Sequence, residues 1–227
     1  MSVYPGIPDR THIERIVRSV LEARQNELFR LIDSGADNGN PLVVNVSARH
    51  VHLTRESLEI LFGQGSELTD FKTLYNGEFA SEQRVNIVAS RNRMISNVRI
   101  LGPLRNYDQV ELSYSDGVYL GLELPLRTSG DHSGTPGCTI VGPNGSIQLK
   151  QGVMRVRRHV HMGKEDLETY GVRDGDFMKL SVVGECGVVF DNVVVRYGEG
   201  MKLEIHIDTD EGNACNLQSA TRLELIK

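Results

Sequence analysis

Val43-Val44-Asn45-Val46-Ser47-Ala48-Arg49-His50-Val51-His52-Leu53 returns later in the chain as Val153-Met154-Arg155-Val156-Arg157-Arg158-His159-Val160-His161-Met162. Each copy is a β-branched run followed by Arg-His-Val-His, and each leads into a stretch with helix-forming residues. If the His-Val-His step is extended, side chains two apart leave the backbone on the same face. Both imidazoles of a pair then reach one metal ion, while Val51 or Val160 turns into the core. Two such pairs in one chain imply two ions in one site. The copies stand 109 positions apart, His159 against His50. That is too long for a solenoid period and right for duplicated modules of about 100 residues facing each other across an interface.

Outward from these copies the pattern is mainly β. Short apolar runs over 43–46, 85–88, 97–101, 109–114, 139–141, 147–149, 177–183, 188–195 and 203–207 are separated by Gly, Pro, Asn and Asp. Many short strands at this spacing favour barrels or sandwiches over a parallel βαβ sheet. Short helices are expected over 54–62 and 164–170. Residues 9–32 read as an amphipathic helix, with Ile13, Ile16, Val17, Val20, Leu21, Leu28 and Leu31 at three- and four-residue steps. Asp9 suits its N-cap and Gly35 its end, and residues 34–41 form a Gly/Asn/Asp-rich linker. Two readings of that helix stay open. It is a docking peptide for a partner, or it folds back on its own domain or builds a dimer.

The bulk properties bound the function. A chain of 227 residues with 39% hydrophobic and 24% charged residues builds one large domain or two small ones around a packed core. A net charge of −5 gives no sign of a nucleic-acid surface. Cys138, Cys186 and Cys215 are isolated and odd in number, which argues against a disulfide framework or a thiolate zinc site and fits a reducing compartment. No apolar run approaches the roughly 20 residues of a membrane span, and the N-terminal stretch lacks a signal-peptide core. The expectation is a soluble intracellular protein.

The chain has seven histidines, His12, His50, His52, His132, His159, His161 and His206; five lie in strand-like contexts, while His12 sits near the helix start and His132 in a loop. A lone strand histidine is usually a hydrogen-bonded structural residue. A duplicated His-x-His with His206 as a fifth strand histidine, and no sulfur donors nearby, points instead to a metal site. Imidazole donors suit zinc, with cobalt, nickel, copper or iron as substitutes. Around His206, alternation puts Glu204, His206 and Asp208 on one face, where a carboxylate could ligate or orient the ring. Asp208, Asp210 and Glu211 are more simply an acidic turn. Glu111, between Val110 and Leu112, is either a ligand or a solvent-facing strand residue, and the pattern alone favours the second. Arg105 emerges from Gly102-Pro103-Leu104, a rigid turn suited to holding a phosphate bidentately. Lys72, Arg91 and Arg93 are further cations whose simplest role is surface solvation. There is no Walker loop, GxGxxG helix start or GxSxG elbow.

At these residues the chain resembles the propanediol-utilisation type of phosphotransacylase, the phosphate propanoyltransferases of bacterial microcompartments. The matching stretches are residues 46–53, 98–105, 109–111, 129–131, 142–143, 158–162 and 206–211. Ala48 and Gly212 depart from the usual Asn and Ala, and neither is a proposed ligand. The resemblance implies two β-barrels capped by short α-helices, internally duplicated, with the N-terminal amphipathic helix ahead of them. Residues 1–40 would be helix and linker. Residues 41–48 and 157–227 would form the first barrel and 49–156 the second, with a lid at about 63–83.

The resemblance also implies two Zn2+ ions, one on His50, His52 and Glu111, the other on His159, His161 and His206. Arg105 would be the catalytic residue holding phosphate, and Ser47, Lys72, Arg99, Leu101 and Asn213 would line the coenzyme A pocket. The implied reaction is acyl-CoA plus phosphate giving acyl phosphate plus CoA, by direct transfer in a ternary complex. Residues 9–32 resemble the peptides that bring enzymes to microcompartment shell proteins. A homodimer in the cytoplasm, inside a bacterial microcompartment serving propanediol degradation, completes the expectation.

Overall fold

The computed structural model describes residues 42–74, 77–89 and 93–227. The expected helix over 9–32, His12 and Arg91 lie outside the described residues. Fifteen strands form two sheets among the described residues. Those carrying the argument are β1 (Val43–Ser47), β2 (His50–His52), β3 (Asp70–Thr73), β4 (Phe79–Val88), β5 (Met94–Gly102) and β6 (Gln109–Glu111). After the short β7 (Leu126–Arg127), β8 (Cys138–Val141) and β9 (Ser146–Leu149) come β10 (Val153–Val156) and β11 (His159–Met162). The chain ends with β12 (Phe177–Val183), β13 (Val188–Tyr197), β14 (Glu204–Asp208) and β15 (Arg222–Ile226).

One sheet runs β1-β14-β11-β13-β12-β15. The other runs β7-β10-β6-β2-β5-β4-β8-β9, with β3 added on β4. Each is curled into a half-barrel. The two copies of the repeat exchange strands. β1 precedes β2 in the chain yet pairs in parallel with β14 of the six-stranded sheet. β10 precedes β11 yet pairs in parallel with β6 of the nine-stranded sheet. Each His-x-His strand is thus flanked by the same three kinds of neighbour: an antiparallel strand (β6 or β14), a parallel one (β5 or β13), and beyond the first a strand lent by the other copy. The duplication expected from the sequence is the organising symmetry of the fold.

Alternation explains the cores. Val51 and Val160, the middle residues of the two His-Val-His steps, are 0% exposed. The first packs among Leu53, Ile100, Val110 and Val153, the second among Met162, Val193, Val195 and Ile205. Full burial of each valine contributes about 1.5–3 kcal/mol, so the apolar residue fixes the strand and leaves both flanking imidazoles on the opposite face.

Four short helices cap the strands: α1 (Arg55–Phe62), α2 (Tyr114–Leu120), α3 (Lys164–Tyr170) and α4 (Thr209–Ala214). α1 and α3 fall where the sequence predicts them. α1 starts at Thr54, whose hydroxyl accepts from Ser57 N, and Asp108 accepts from Thr54 N at 2.7 Å and the Ser57 hydroxyl at 2.6 Å. Two readings change. The expected strand over 109–114 ends at Glu111, because Ser113 and Asp116 form a capping box that starts α2. The acidic turn at Asp208–Glu211 is likewise a capping box, Asp208 Oδ1 accepting from Glu211 N at 2.8 Å and Glu211 Oε2 from Asp208 N at 2.9 Å. Arg49 reaches Asp116 at 2.8 Å and Arg158 reaches Glu211 at 2.7 Å. In both copies an arginine ahead of His-x-His is therefore tied to the helix that follows the neighbouring strand.

Candidate metal and substrate site

His50 and His52 leave β2 on one face, and Glu111 stands opposite His50 in β6. His50 Nε2 lies 3.2 Å from Glu111 Oε2, and His52 Nε2 lies 3.6 Å from Oε1. His50 Nδ1 donates to the Ala48 carbonyl at 2.8 Å, which turns Nε2 toward the carboxylate. In the other sheet His159 is opposite His206 in β14, and His159 Nδ1 donates to the Arg157 carbonyl at 2.9 Å. The rings of His159, His161 and His206 lie 4.8–5.0 Å apart, centroid to centroid. Within each trio the potential ligand atoms are all within 4.8 Å of one another. Glu111, which the strand pattern alone assigned to solvent, is buried at 9% exposure. It occupies in the first copy the place of His206 in the second.

The electrostatics differ between the trios. Burial depresses the titration of His161 and His206 to about 3, and the neighbouring rings and Arg196 push the same way. Burial also lowers His52 and His159. Burial alone would raise Glu111, but His50 and His52 outweigh it and hold the carboxyl well below its ordinary range. His50 goes the other way: burial lowers it, Glu111 more than compensates, and the ring ends raised. The second trio is therefore three neutral imidazoles and the first a carboxylate against two imidazoles.

These are donor sets that suit a zinc-like ion. His52 Nδ1 and His206 Nε2 are buried without a hydrogen-bond partner among the described residues, a costly state for a ring nitrogen that an ion on His206 Nε2 would relieve. The residues fit the group. A narrow cleft lined by Ser47, Glu111, Val156, His159, His206 and Asp208 runs between the trios, so both copies contribute to one space.

Arg105 comes off the turn after β5 with its backbone N–H bonded to the Leu53 carbonyl at 2.9 Å. Its guanidinium donates to Glu78 at 2.8 Å, the Tyr107 hydroxyl at 3.0 Å and Ser129 Oγ at 3.1 Å. Ser129 in turn lies 3.2 Å from Glu111 Oε1. Gln109, which is 0% exposed, donates to Glu111 Oε1 at 2.6 Å and Ser129 Oγ at 2.9 Å. Its own oxygen accepts from Gly130 N at 2.8 Å and lies 3.1 Å from His132 Nε2. Sequence reasoning gave no role to Gln109, Ser129, Tyr107, Glu78 or His132. By its spacing Gln109 left a trace, two residues before Glu111 and hence on the same strand face.

The remaining expected pocket residues are spread wider. Ser47 lines the cleft. Arg99 is beside His50 in register, with its guanidinium donating to the Ser81 carbonyl and lying 4.2 Å above the Phe71 ring. Lys72, Ala80 and Leu101 form one row across β3, β4 and β5. Lys72 is exposed on that row, and Asn213 is exposed on α4. Glu204 is opposite His161 in β14 but outside the trio of donors.

A family model described as phosphate propanoyltransferase matches residues 43–218. A protein of Planctopirus limnophila named phosphate propanoyltransferase is 50% identical, over 100% of this chain and 95% of its own length. Proteins of the same name from Thermotoga maritima and Lachnoclostridium phytofermentans are 46% and 43% identical. They cover 82% and 90% of this chain, and 89% and 93% of their own lengths. Among the described residues no helix is long and apolar enough to cross a membrane.

Proposed function

The chain belongs to the phosphate propanoyltransferase family and is a phosphate acyltransferase, and on that premise we propose that it interconverts a short-chain acyl-CoA, propanoyl-CoA first, and phosphate with acyl phosphate and free CoA. The observation that carries this reading is the cleft shared by two three-donor trios, with Arg105 joined to Glu111 through Ser129 and Gln109. His50, His52 and Glu111 would hold one divalent ion and His159, His161 and His206 a second, zinc by donor chemistry. When bound, such ions supply Lewis acidity that steadies developing charge on the thioester oxygen and the departing sulfur.

The chain's own residues do the rest. Arg105 presents a guanidinium whose direction is fixed by Glu78, Tyr107 and Ser129, a preorganised seat for phosphate. A phosphate oxygen attacks the thioester carbonyl carbon, the C–S bond breaks, and the electron pair leaves on the CoA sulfur. Phosphate is already ionised near neutral pH, so no protein base is required. Nor is a protein nucleophile: Cys138 is buried with its thiol pushed up to about 12. Transfer is therefore direct, in a ternary complex, and Ser47, Lys72, Arg99, Leu101 and Asn213 line the CoA path.

Thiol release from propanoyl-CoA, with and without phosphate and before and after chelation, tests the reading. Release that needs phosphate and metal supports it. Release without phosphate would mean a metal-dependent thioester hydrolase, and no release a binding module. Ping-pong kinetics or a trapped acyl-protein would exclude direct transfer.

The outlying parts of the reading are proposals of the same kind. The two sheets are taken as two domains, 41–48 with 157–227 and 49–156, and residues 63–83 as a lid. The exposed β3, held through β4, supports the lid. Residues 9–32 are proposed to bring a homodimer to microcompartment shell proteins. A chain lacking residues 1–38 should keep solution activity and lose co-purification with shell proteins; full retention would reject that assignment.

A further inference from the structure

Arg105 is engaged on three sides, whereas Arg196 forms no ion pair with a carboxylate among the described residues. Arg196 is on β13, half-buried, and its Cα is paired with His161 across the parallel β11–β13 ladder. Val193 and Val195 turn into the core, so Arg196 and Val194 take the face that carries His159 and His161. A groove on that face is lined by Thr128, Val156, Arg157, His159, Val194 and Arg196. Glu204, one strand further on opposite His161, makes no ion pair with it, nor does Asp174, whose carboxylate accepts from Tyr197 N at 2.8 Å. Thr128 adjoins Ser129, so one loop bonds Arg105 through Ser129 and lines the Arg196 groove through Thr128.

Arg196 is half-buried, faces the groove beside His161 and meets no carboxylate among the described residues, so an anion entering the groove supplies the counter-charge that the fold does not. We propose that Arg196, with Arg157 and Thr128, forms a second phosphate-binding subsite alongside the His159–His161–His206 trio, separate from the seat at Arg105. Its ligand is a phosphate group of a substrate, drawn either from inorganic or acyl phosphate or from the diphosphate of CoA. The inference takes its substrates from the acyltransferase reading, but the subsite itself is a statement about anion binding.

The test compares wild type with Arg196→Gln, Arg196→Lys and Thr128→Val. It uses steady-state kinetics in both directions, metal content, and calorimetric titration of the metal-loaded protein with inorganic phosphate and, separately, with CoA. Arg196→Gln is expected to raise KM for one phosphate-bearing substrate at least tenfold. It should change kcat less than about threefold, leave metal content at the wild-type value, and be partly rescued by Arg196→Lys. A rise confined to phosphate and acyl phosphate assigns the subsite to them. A rise confined to CoA, absent with a thiol lacking the diphosphate, assigns it to CoA. Should Arg196→Gln not fold, Thr128→Val carries the same test, with a rise of threefold or more expected. Unchanged KM values and titrations in folded variants, or loss of activity in step with loss of metal, overturn the proposal. If wild type shows no phosphate-dependent thiol release but still binds phosphate through Arg196, the acyltransferase reading fails and the subsite stands.

Discussion

Gln109 donates to Glu111 Oε1 at 2.6 Å from the same strand, and its side chain is wholly buried. Its amide is oriented by its surroundings: the nitrogen faces a carboxylate and the Ser129 hydroxyl, the oxygen the Gly130 N–H and His132. One carboxylate oxygen is thereby held, and the other is left toward His50.

Gln109→Leu should therefore weaken the His50–His52–Glu111 trio without touching a donor. Partners that orient a ligand typically contribute about 10–100-fold in metal affinity, and the orphaned Gly130 N–H and Ser129 add about 1–3 kcal/mol of destabilisation. The expected result is metal content falling from two equivalents toward one, with a lower melting temperature. Two full equivalents held against a chelator as tightly as in wild type would reject the role.

The arginine ties make a second prediction. Arg158 and Glu211 are about a quarter and an eighth exposed, whereas Arg49, tied to Asp116, is nearly half exposed. Water screens the second pair more. Arg158→Ala should cost about 1–3 kcal/mol, because both members of its pair are shielded from water, and Arg49→Ala about 1 kcal/mol or less, because Arg49 is the half-exposed, screened member of a pair whose Asp116 keeps its capping-box bonds to Ser113. Urea unfolding of the two variants decides the order. Equal costs would mean that the capping boxes, not the arginines, hold the helices to the strands.

Much of this was legible in the sequence for a definite reason. The duplicated His-Val-His obeys a local rule, alternation, so the valines, the four imidazoles and the internal symmetry could be read from spacing. His206 came from the same rule. Glu111 did not, because a strand carboxylate looks alike whether it faces water or two imidazoles, and only the β2–β6 pairing distinguishes them. The capping boxes at Ser113 and Asp208 were written in the sequence but masked by their β neighbours. The exchange of β1 and β10 between sheets, and the meeting of Gln109, Ser129 and Arg105, depend on contacts between residues distant in the chain, which no local pattern encodes.

Acid should destabilise the metal-stripped protein. In the unfolded chain His161 and His206 take up protons near pH 6.5, but in the folded protein burial, adjoining rings and Arg196 delay this to about 3. Between those values the unfolded state binds more protons, so stability is full above about pH 6.5 and is lost as pH falls toward 3. His50, raised against burial by Glu111, works in the opposite sense and offsets part of the loss. Melting temperatures of chelated protein should decline through this window, and His206→Gln should flatten the decline. A flat profile in the parent protein would show the rings to be hydrated and to take up protons in the folded state as they do in the unfolded chain.

The three cysteines make the last prediction, and it bears on the mechanism. Cys186 is exposed in the turn between β12 and β13, whereas Cys138 and Cys215 are buried. Burial pushes the Cys138 thiol up to about 12 and raises Cys215 as well. The thiolate is the nucleophile, so neither buried residue can attack a thioester or a disulfide reagent at neutral pH. Native protein should release one equivalent of thionitrobenzoate rapidly from Ellman's reagent and the other two only on denaturation. Cys186→Ser should abolish the fast phase and leave phosphate-dependent thiol release intact. A fast phase that survives in Cys186→Ser, accompanied by loss of activity, would place a reactive thiol in the cleft and reopen an acyl-enzyme route.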